Sequence, residues 1–293
     1  MRFPGFEGEW EVRKLGEVTT NVMYGMNAAA TDYDGENQYI RITDIDENTR
    51  LFYPNPLSSP EGELEDKYLL NNGDILFART GASVGKSYLY NAKDGKIYFA
   101  GFLIRFNVKT ENPYFIFSQT LTKKYQKWVL TMSMRSGQPG INAEEYKSLS
   151  IVIPSIQEQK KISDFLSLID ERIQTQNKII EQLETLIKGL SEKIFSQKIR
   201  LKEASDDWEV KTLGDVLIEQ NEKTTTSDKY RILSSTTKGL FYQSEYFNNE
   251  VASKDNSGYK ILRKNQLVFS PQNLWLGNIN VNTNFDIGIV SPS

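Results

Sequence analysis

The feature that most limits how this chain can fold is that it says the same thing twice. Glu7–Val18 reads EGEWEVRKLGEV, and Ser205–Val216 reads SDDWEVKTLGDV. The tryptophan, the Glu-Val pair, the Leu-Gly pair and the final valine coincide, while Arg13/Lys211 and Glu17/Asp215 exchange like for like. Two more matches follow in the same order. QYIRITDI from Gln38 meets KYRILSST from Lys229, and KYLLNNGDILFAR (Lys67–Arg79) meets YKILRKNQLVFSP (Tyr259–Pro271). The offset is 198 residues at the first match (Glu7 to Ser205) and 192 at the last (Lys67 to Tyr259), a drift that loop-length variation produces. Self-similarity at a fixed period marks repeated copies of one structural unit. One copy starts near Phe6 and the other near Ala204. Trp10 and Trp208 recur in register, so they are expected to be core anchors rather than platforms for bases.

Within a copy, short apolar or alternating runs (YIRI, DILFA, KSYLY, FLIRF, SIVI) lie between Gly, Asn, Asp and Pro. That pattern predicts short strands and turns. Apolar residues three and four apart predict a helix over Pro113–Val129, with Pro113 at its first position. The next stretch changes character. Ser155 and Glu158 have capping-box spacing, and only one glycine (Gly189) and no proline follow as far as Lys202. Apolar residues there fall on a heptad: Leu166, Ile173, Ile180, Ile187, Ile194 and Leu201 at a, with Ile162, Ile169, Gln176, Leu183, Leu190 and Gln197 at d. This predicts a rod of roughly 60 Å at 1.5 Å per residue, with a seam (Ile162, Leu166, Ile169, Ile173, Ile180, Leu183, Ile187, Leu190, Ile194) that needs a partner helix. The fold class is therefore α+β, with a globular unit over 1–154, a long helix over 155–203, and a second unit of the same fold over 204–293. By the 192-residue offset, position 293 matches about residue 101 of the first unit, so the second unit is expected to be truncated.

The chain has neither cysteine nor histidine. Disulfides are excluded, a zinc site would need carboxylates alone, and Ser-His-Asp or Cys-His catalysis is impossible. No apolar run reaches the roughly 20 residues that span a bilayer, and MRFPGFEGEW lacks the apolar segment of a signal peptide. A cytoplasmic protein is the expectation. The net charge of −3 gives no global basic signature, so a nucleic-acid reading must rest on local motifs. GASVGKS (Gly81–Ser87) is one residue short of the phosphate-loop spacing G-x-x-x-x-G-K-[ST]. NPYF (Asn112–Phe115) lacks the second proline of an adenine-methyltransferase loop, and no glycine-rich cofactor loop precedes it. Neither nucleotide hydrolysis nor methylation is expected of this chain, and no cofactor is implied.

A globular unit, then IVIPSIQEQKKISDFLSLIDERIQ, then a second unit opening on WEVKTLGDV resembles the specificity subunit of type I restriction–modification systems. GDILFARTGASVGK from Gly73, GQPGIN from Gly137 and the P-x-x-x-E-Q-x-x-I junction from Pro154 carry the resemblance across essentially the whole chain. It implies two target recognition domains reading the halves of a split double-stranded DNA site, with the helix as a ruler for the spacer. It also implies a subunit without chemistry of its own, which recruits two methyltransferase subunits and a motor-nuclease subunit. The sequence repeats because two half-sites need two readers. A dimeric coiled-coil scaffold that binds no nucleic acid is the alternative, since the seam also suits a homodimer.

The candidate DNA-contacting residues lie in loops around the repeated strand. After DILFA, the glycine-rich turn offers Arg79, Thr80, Ser83 and Lys86. Arginine is the usual bidentate reader of guanine, and Lys and backbone N–H groups suit phosphate. Lys123, Lys124 and Lys127 are candidates for phosphate contacts, and Arg135, Ser136 and Gln138 for a polar, glycine-rich reading loop. In the second unit SPQNLWLGN stands where the first has ARTGASVGK, which puts Gln272 and Asn273 in position to pair with adenine. Tyr24, Arg41 and Asp44 sit at predicted strand ends and complete the set. Solvated turns and surface lysines explain the same residues without DNA.

Overall fold

The computed structural model describes residues 2–134, 139–200, 207–247 and 255–291. It is about a third helical and a quarter strand, an α+β protein, and it divides into unit one (Met1–Ile199) and unit two (Arg200–Ser293). Unit one begins with β1 (Glu11–Lys14), α1 (Leu15–Val18), β2 (Thr19–Tyr24), β3 (Ala30–Asp32), β4 (Gln38–Ile40) and β5 (Ser58–Pro60). It continues through β6 (Asp74–Ala78), β7 (Ser87–Leu89), β8 (Ile97–Phe99), β9 (Leu103–Val108), α2 (Pro113–Gln119), α3 (Lys123–Ser133), α4 (Ala143–Lys147), β10 (Ser150–Ile153) and α5 (Ile156–Phe195).

The main sheet has the order β2-β9-β6-β7, every neighbour antiparallel. DILFA forms β6, and all five of its residues are buried. Side chains alternate across a strand: Ile75 and Phe77 enter a core with Phe106, Phe115, Tyr125 and Tyr146, while Leu76 and Ala78 enter a second core with Ile40, Tyr88 and Phe99 on the other face. A parallel pair, β4 with β8, borders the second core, and β1 pairs with β10 next to the start of α5.

The helix predicted over Pro113–Val129 is two helices. Pro113 opens α2, capped by Asn112, whose Oδ1 accepts the Phe115 N–H at 3.0 Å. Thr120 ends α2 by bonding back to the Phe117 carbonyl, and Thr122 caps α3 through the Tyr125 N–H. Short hydroxyl side chains compete with the helix for its own backbone groups, and apolar spacing alone does not register that. The capping of α5 by Ser155 is present, its hydroxyl accepting the Glu158 N–H at 3.3 Å. The rod is shorter than predicted. It ends at Phe195, where the backbone turns left-handed at Gln197 (φ 59°) and the Ile199 N–H returns to the Lys193 carbonyl. Gln197 thus leaves the heptad, and Leu201 lies outside the described residues. Trp10 and Trp208 are 36% and 46% exposed, so neither is a core anchor; Trp10 meets Phe115 edge-on from the surface.

Unit two carries α6 (Leu213–Val216), β11 (Leu233–Thr236), β12 (Gly239–Tyr242), α7 (Gln243–Tyr246), β13 (Lys260–Arg263), β14 (Leu267–Phe269), β15 (Ile279–Val281) and β16 (Ile287–Val290). Its pairings repeat those of unit one. The β14–β15 hairpin stands for β6–β7, and the bridge between Leu69 and Tyr98 recurs as the pair Ile261–Ile289. Even fine detail recurs: Asp74 accepts the Asn71 N–H, and Gln266, 192 positions on, accepts the Arg263 N–H, both at 2.7 Å. What differs is cover. Leu267 and Phe269 are exposed, whereas their counterparts Ile75 and Phe77 are buried beneath segments of the 103–153 stretch. Among the described residues no helix is long and apolar enough to cross a membrane.

Candidate nucleic-acid interface

The turn after β6 is held from several sides. The Arg79 N–H donates to the Phe102 carbonyl at 3.0 Å, and the Ile141 N–H donates to the Arg79 carbonyl at 2.9 Å. Thr80 bridges Gly140, and the Gly81 N–H reaches the Pro139 carbonyl at 3.0 Å. A 3-10 turn over Gly81–Ser83 follows. Gly85 then adopts φ 86°, and a Cβ there would sit 2.6 Å from the Val129 side chain of α3. Only glycine fits, because the backbone is left-handed and the helix presses against it. The Tyr125 hydroxyl, also from α3, donates to the Gly85 carbonyl at 2.8 Å. The turn, α3 and the Pro139–Ile141 segment that follows the glycine-rich loop therefore meet. Arg135, Ser136 and Gln138 of that loop lie outside the described residues.

Arg79 lies with its guanidinium 4.9 Å from the centroid of the Tyr24 ring, a cation–π contact. Tyr24 is itself fixed, its hydroxyl accepting the Ala143 N–H at 3.2 Å. The stacked pair lines a cleft of ≈ 650 Å³ together with Tyr39, Arg41 and Phe102. Arg41 belongs to the wall of this cleft, but its fork is engaged: Nε and Nη2 meet Asp44 at 2.9 and 2.8 Å, and this bond raises the pKa of the guanidinium further. Asp44 is buried and serves Arg41, so it is a support and not a reader. Phe102 was missed by sequence reasoning. It is 61% exposed at the rim, and the alternation of AGFLIRF, with Leu103 inward, already pointed it outward. Gly25 in the cleft wall is also required, since a Cβ there would fall 2.2 Å from the Ala100 carbonyl oxygen.

Lys86 is a correction. It is only 8% exposed; its Nζ donates to the Ile45 carbonyl at 3.1 Å and pairs with Glu47 at 2.7 Å, which holds the Glu47 carboxyl below its usual range. A buried, doubly engaged ammonium pins the base of the turn and is not presented to phosphate. Thr80 and Ser83 are half-buried, and Lys123, Lys124 and Lys127 stand exposed on α3, whose other face buries Tyr125 and Val129.

Unit two builds the same turn from other residues. Pro271–Leu276 forms a 3-10 turn, and Gly277 (φ 82°) takes the place of Gly85. Asn278 replaces Lys86 and is likewise buried, its Nδ2 donating to the Ser235 carbonyl at 2.9 Å. The Ala78-to-Lys86 backbone bond recurs between Ser270 and Asn278. Gln272 and Asn273 are exposed on this turn, beside Trp275 at 81%. The backbone geometry of the turn is thus kept while the residues displayed on it change.

The chain belongs to the family of type I restriction modification DNA specificity domains, whose model matches residues 7–185. It is 29% identical to the MjaX type I restriction enzyme specificity subunit of Methanocaldococcus jannaschii, over 70% of this chain and 52% of that one. It is 25% identical to the MjaVIII specificity subunit of the same organism, over 73% of this chain and 51% of that one. The chain thus spans about half the length of the curated relatives it matches. The fold is shared with the S subunit of a type I restriction–modification system from M. genitalium, at a TM-score of 0.59 and 16% identity, covering 98% of this chain and 71% of that one.

Proposed function

We propose that this chain is a non-catalytic DNA-reading subunit of a cytoplasmic type I restriction–modification complex. Each unit contributes one reader for one half of a bipartite double-stranded site. The observation that carries this is the pair of turns, 79–85 and 271–277, built on matching anchors but displaying Arg79, Thr80 and Ser83 in one and Gln272, Asn273 and Trp275 in the other. Arg79 suits a guanine edge, because a stacked fork pre-set in direction loses little freedom on pairing. Gln272 and Asn273 suit adenine. Lys123, Lys124 and Lys127 supply phosphate contacts that set affinity without reading sequence. Partners are two methyltransferase subunits, which modify adenine and close around the duplex, and a motor-nuclease subunit. With those partners sharing the phosphate contacts, a net charge of −3 is no obstacle.

The domain boundaries follow the same reading: reader one over 1–154, a spacer segment over 155–203 whose helix is Ile156–Phe195, reader two over 204–293. The test is co-expression with the neighbouring methyltransferase in a methylation-free host, followed by sequencing for modified adenines. A split motif is expected, and Arg79→Ala is expected to relax one position of one half by about 1–3 kcal/mol of discrimination. No modification together with no co-purification of the methyltransferase would sink the proposal. A second reading, a coiled-coil scaffold that dimerises through α5 and ignores DNA, is favoured only by the exposure of the seam past Ile169. Retention of both a dimer and specific modification would reject it.

A further inference from the structure

The root of α5 is fastened to unit one by an unusual set of buried polar side chains. Gln159 is fully buried, and Ser163 and Glu158 nearly so. Gln159 Oε1 accepts the Asn112 backbone N–H at 3.0 Å, while its Nε2 donates to Glu111 Oε2 at 2.6 Å and to the Pro154 carbonyl at 3.0 Å. One turn on, the Ser163 hydroxyl donates to Asn112 Oδ1 at 2.8 Å, the same oxygen that caps α2. Glu111 is also held by Arg13 of β1 at 3.2 Å. On the flank, Arg2 forks onto Glu158 at 2.6 and 2.7 Å, Phe3 meets Phe165 edge-on at 5.6 Å, and the Tyr114 hydroxyl donates to Asp170. Past Asp170 no side chain of the helix is buried. The buried side chains of this 40-residue helix therefore all lie near its first end.

Apolar contact alone, here Ile162 against the core, resists separation but is non-directional. A satisfied buried hydrogen-bond network admits one geometry. We infer that the Gln159–Asn112–Ser163 clamp is a positioning device that sets the angle at which the long helix leaves reader one, and so the spacing between the half-sites. The second clause rests on the DNA-reading function proposed above. The leverage is large. Over a helix of about 60 Å, a root tilt of about 3° moves the far end by about 3 Å, close to one base-pair step. Gln159 acts through the helix it aims, as a positioning residue.

The chain has no cysteine, so spin labels can be placed at will. Lys109→Cys on the globular part and Lys188→Cys on the helix, both exposed positions, are labelled in the full chain and diluted with unlabelled chain to remove intermolecular signals. The parent is expected to give one narrow distance distribution. Gln159→Ala and the milder Ser163→Ala, measured at temperatures where melting curves show them folded, are expected to widen it by more than about 3 Å, the base-pair step. An unchanged distribution in folded Gln159→Ala overturns the clamp. In the methyltransferase complex, the same variant is expected to keep both half-sites and accept spacers one base pair longer and shorter. A widened distribution with an unchanged spacer overturns the link to spacing. Absence of any site-specific modification by the parent complex, together with no co-purification of the methyltransferase, would instead remove the DNA-reading proposal and leave the distance measurement standing.

Discussion

Lys86 and Lys127 look alike in the sequence, yet the fold gives them opposite tasks. Lys86 is buried against the Ile45 carbonyl and Glu47, and Lys127 is exposed on α3. Lys86→Ala is expected to cost about 1–3 kcal/mol of stability by leaving the buried Ile45 carbonyl unpaired, seen as a lower urea midpoint. Lys127→Ala is expected to stay within about 0.5 kcal/mol and to lower the slope of log affinity against log salt by about 1 in the DNA-bound complex. Equal effects of the two on stability would contradict the assignment. The residue types were legible in the sequence and the burial was not, because the acceptor of Lys86 lies 41 positions away, just after the 3-10 turn Ile42–Asp44. Glu158 gives a pH signature. Hydrogen bonding and attraction from Arg2 hold its carboxyl below the ordinary 4.5. A depressed carboxyl stabilises the fold above its unfolded pKa, and that contribution is lost as pH falls through the folded value. Unfolding followed between pH 7 and 3 is therefore expected to show a shallower acid decline in Glu158→Gln than in the parent.

At the scale of elements, the long helix was the most legible part of the chain and its seam is the most exposed. The heptad survives over many turns because no proline or turn chemistry interrupts it, and its start was fixed by Ser155. Its end was misjudged because the lysines and arginine after Phe195 suit a helix C-terminus, while the stop comes from the left-handed backbone at Gln197. Ile173, Ile180, Leu183, Ile187 and Leu190 are each 45–64% exposed. Burying such a side chain is worth about 1.5–3 kcal/mol, so a seam of this length is expected to self-associate at micromolar concentration when no other helix covers it. Light scattering is expected to give a dimer. Ile180→Asp with Ile187→Asp is expected to shift it to monomer while circular dichroism of the globular units holds. A monomeric parent at those concentrations would show that the seam is satisfied some other way.

For the whole molecule, the repeat makes a stronger statement than either unit alone. Strand pairings, a left-handed glycine and a buried side chain at the foot of the turn recur at the same offset, although the residues between them share almost nothing. The sequence carried the repeat because backbone demands preserve Gly85 and Gly277 and the strand pattern before them. It could not carry the reading residues, because exposure and side-chain direction depend on α3, Pro139–Ile141 and Phe102, which reach the turn from distant parts of the chain. This separation of anchor from tip is testable by exchange. Replacing residues 79–85 with the sequence of 271–277 keeps the closing glycine against Val129, keeps an apolar side chain where Val84 packs on the core, and leaves Lys86 in place below. The exchange removes the Arg79 guanidinium from Tyr24 and brings in a proline at position 79, whose N–H bonds the Phe102 carbonyl in the parent. Loss of that one bond costs about 0.5–1.5 kcal/mol, and the asparagine that replaces Gly81 (φ 75°) is a residue type that accepts left-handed backbone, changes a folded domain tolerates. The hybrid is therefore expected to fold with a modestly lower melting temperature and to direct methylation to sites altered in one half only. Retention of the parental half-site by a folded hybrid would show that the turn after β6 is scaffold and that reading lies elsewhere on unit one.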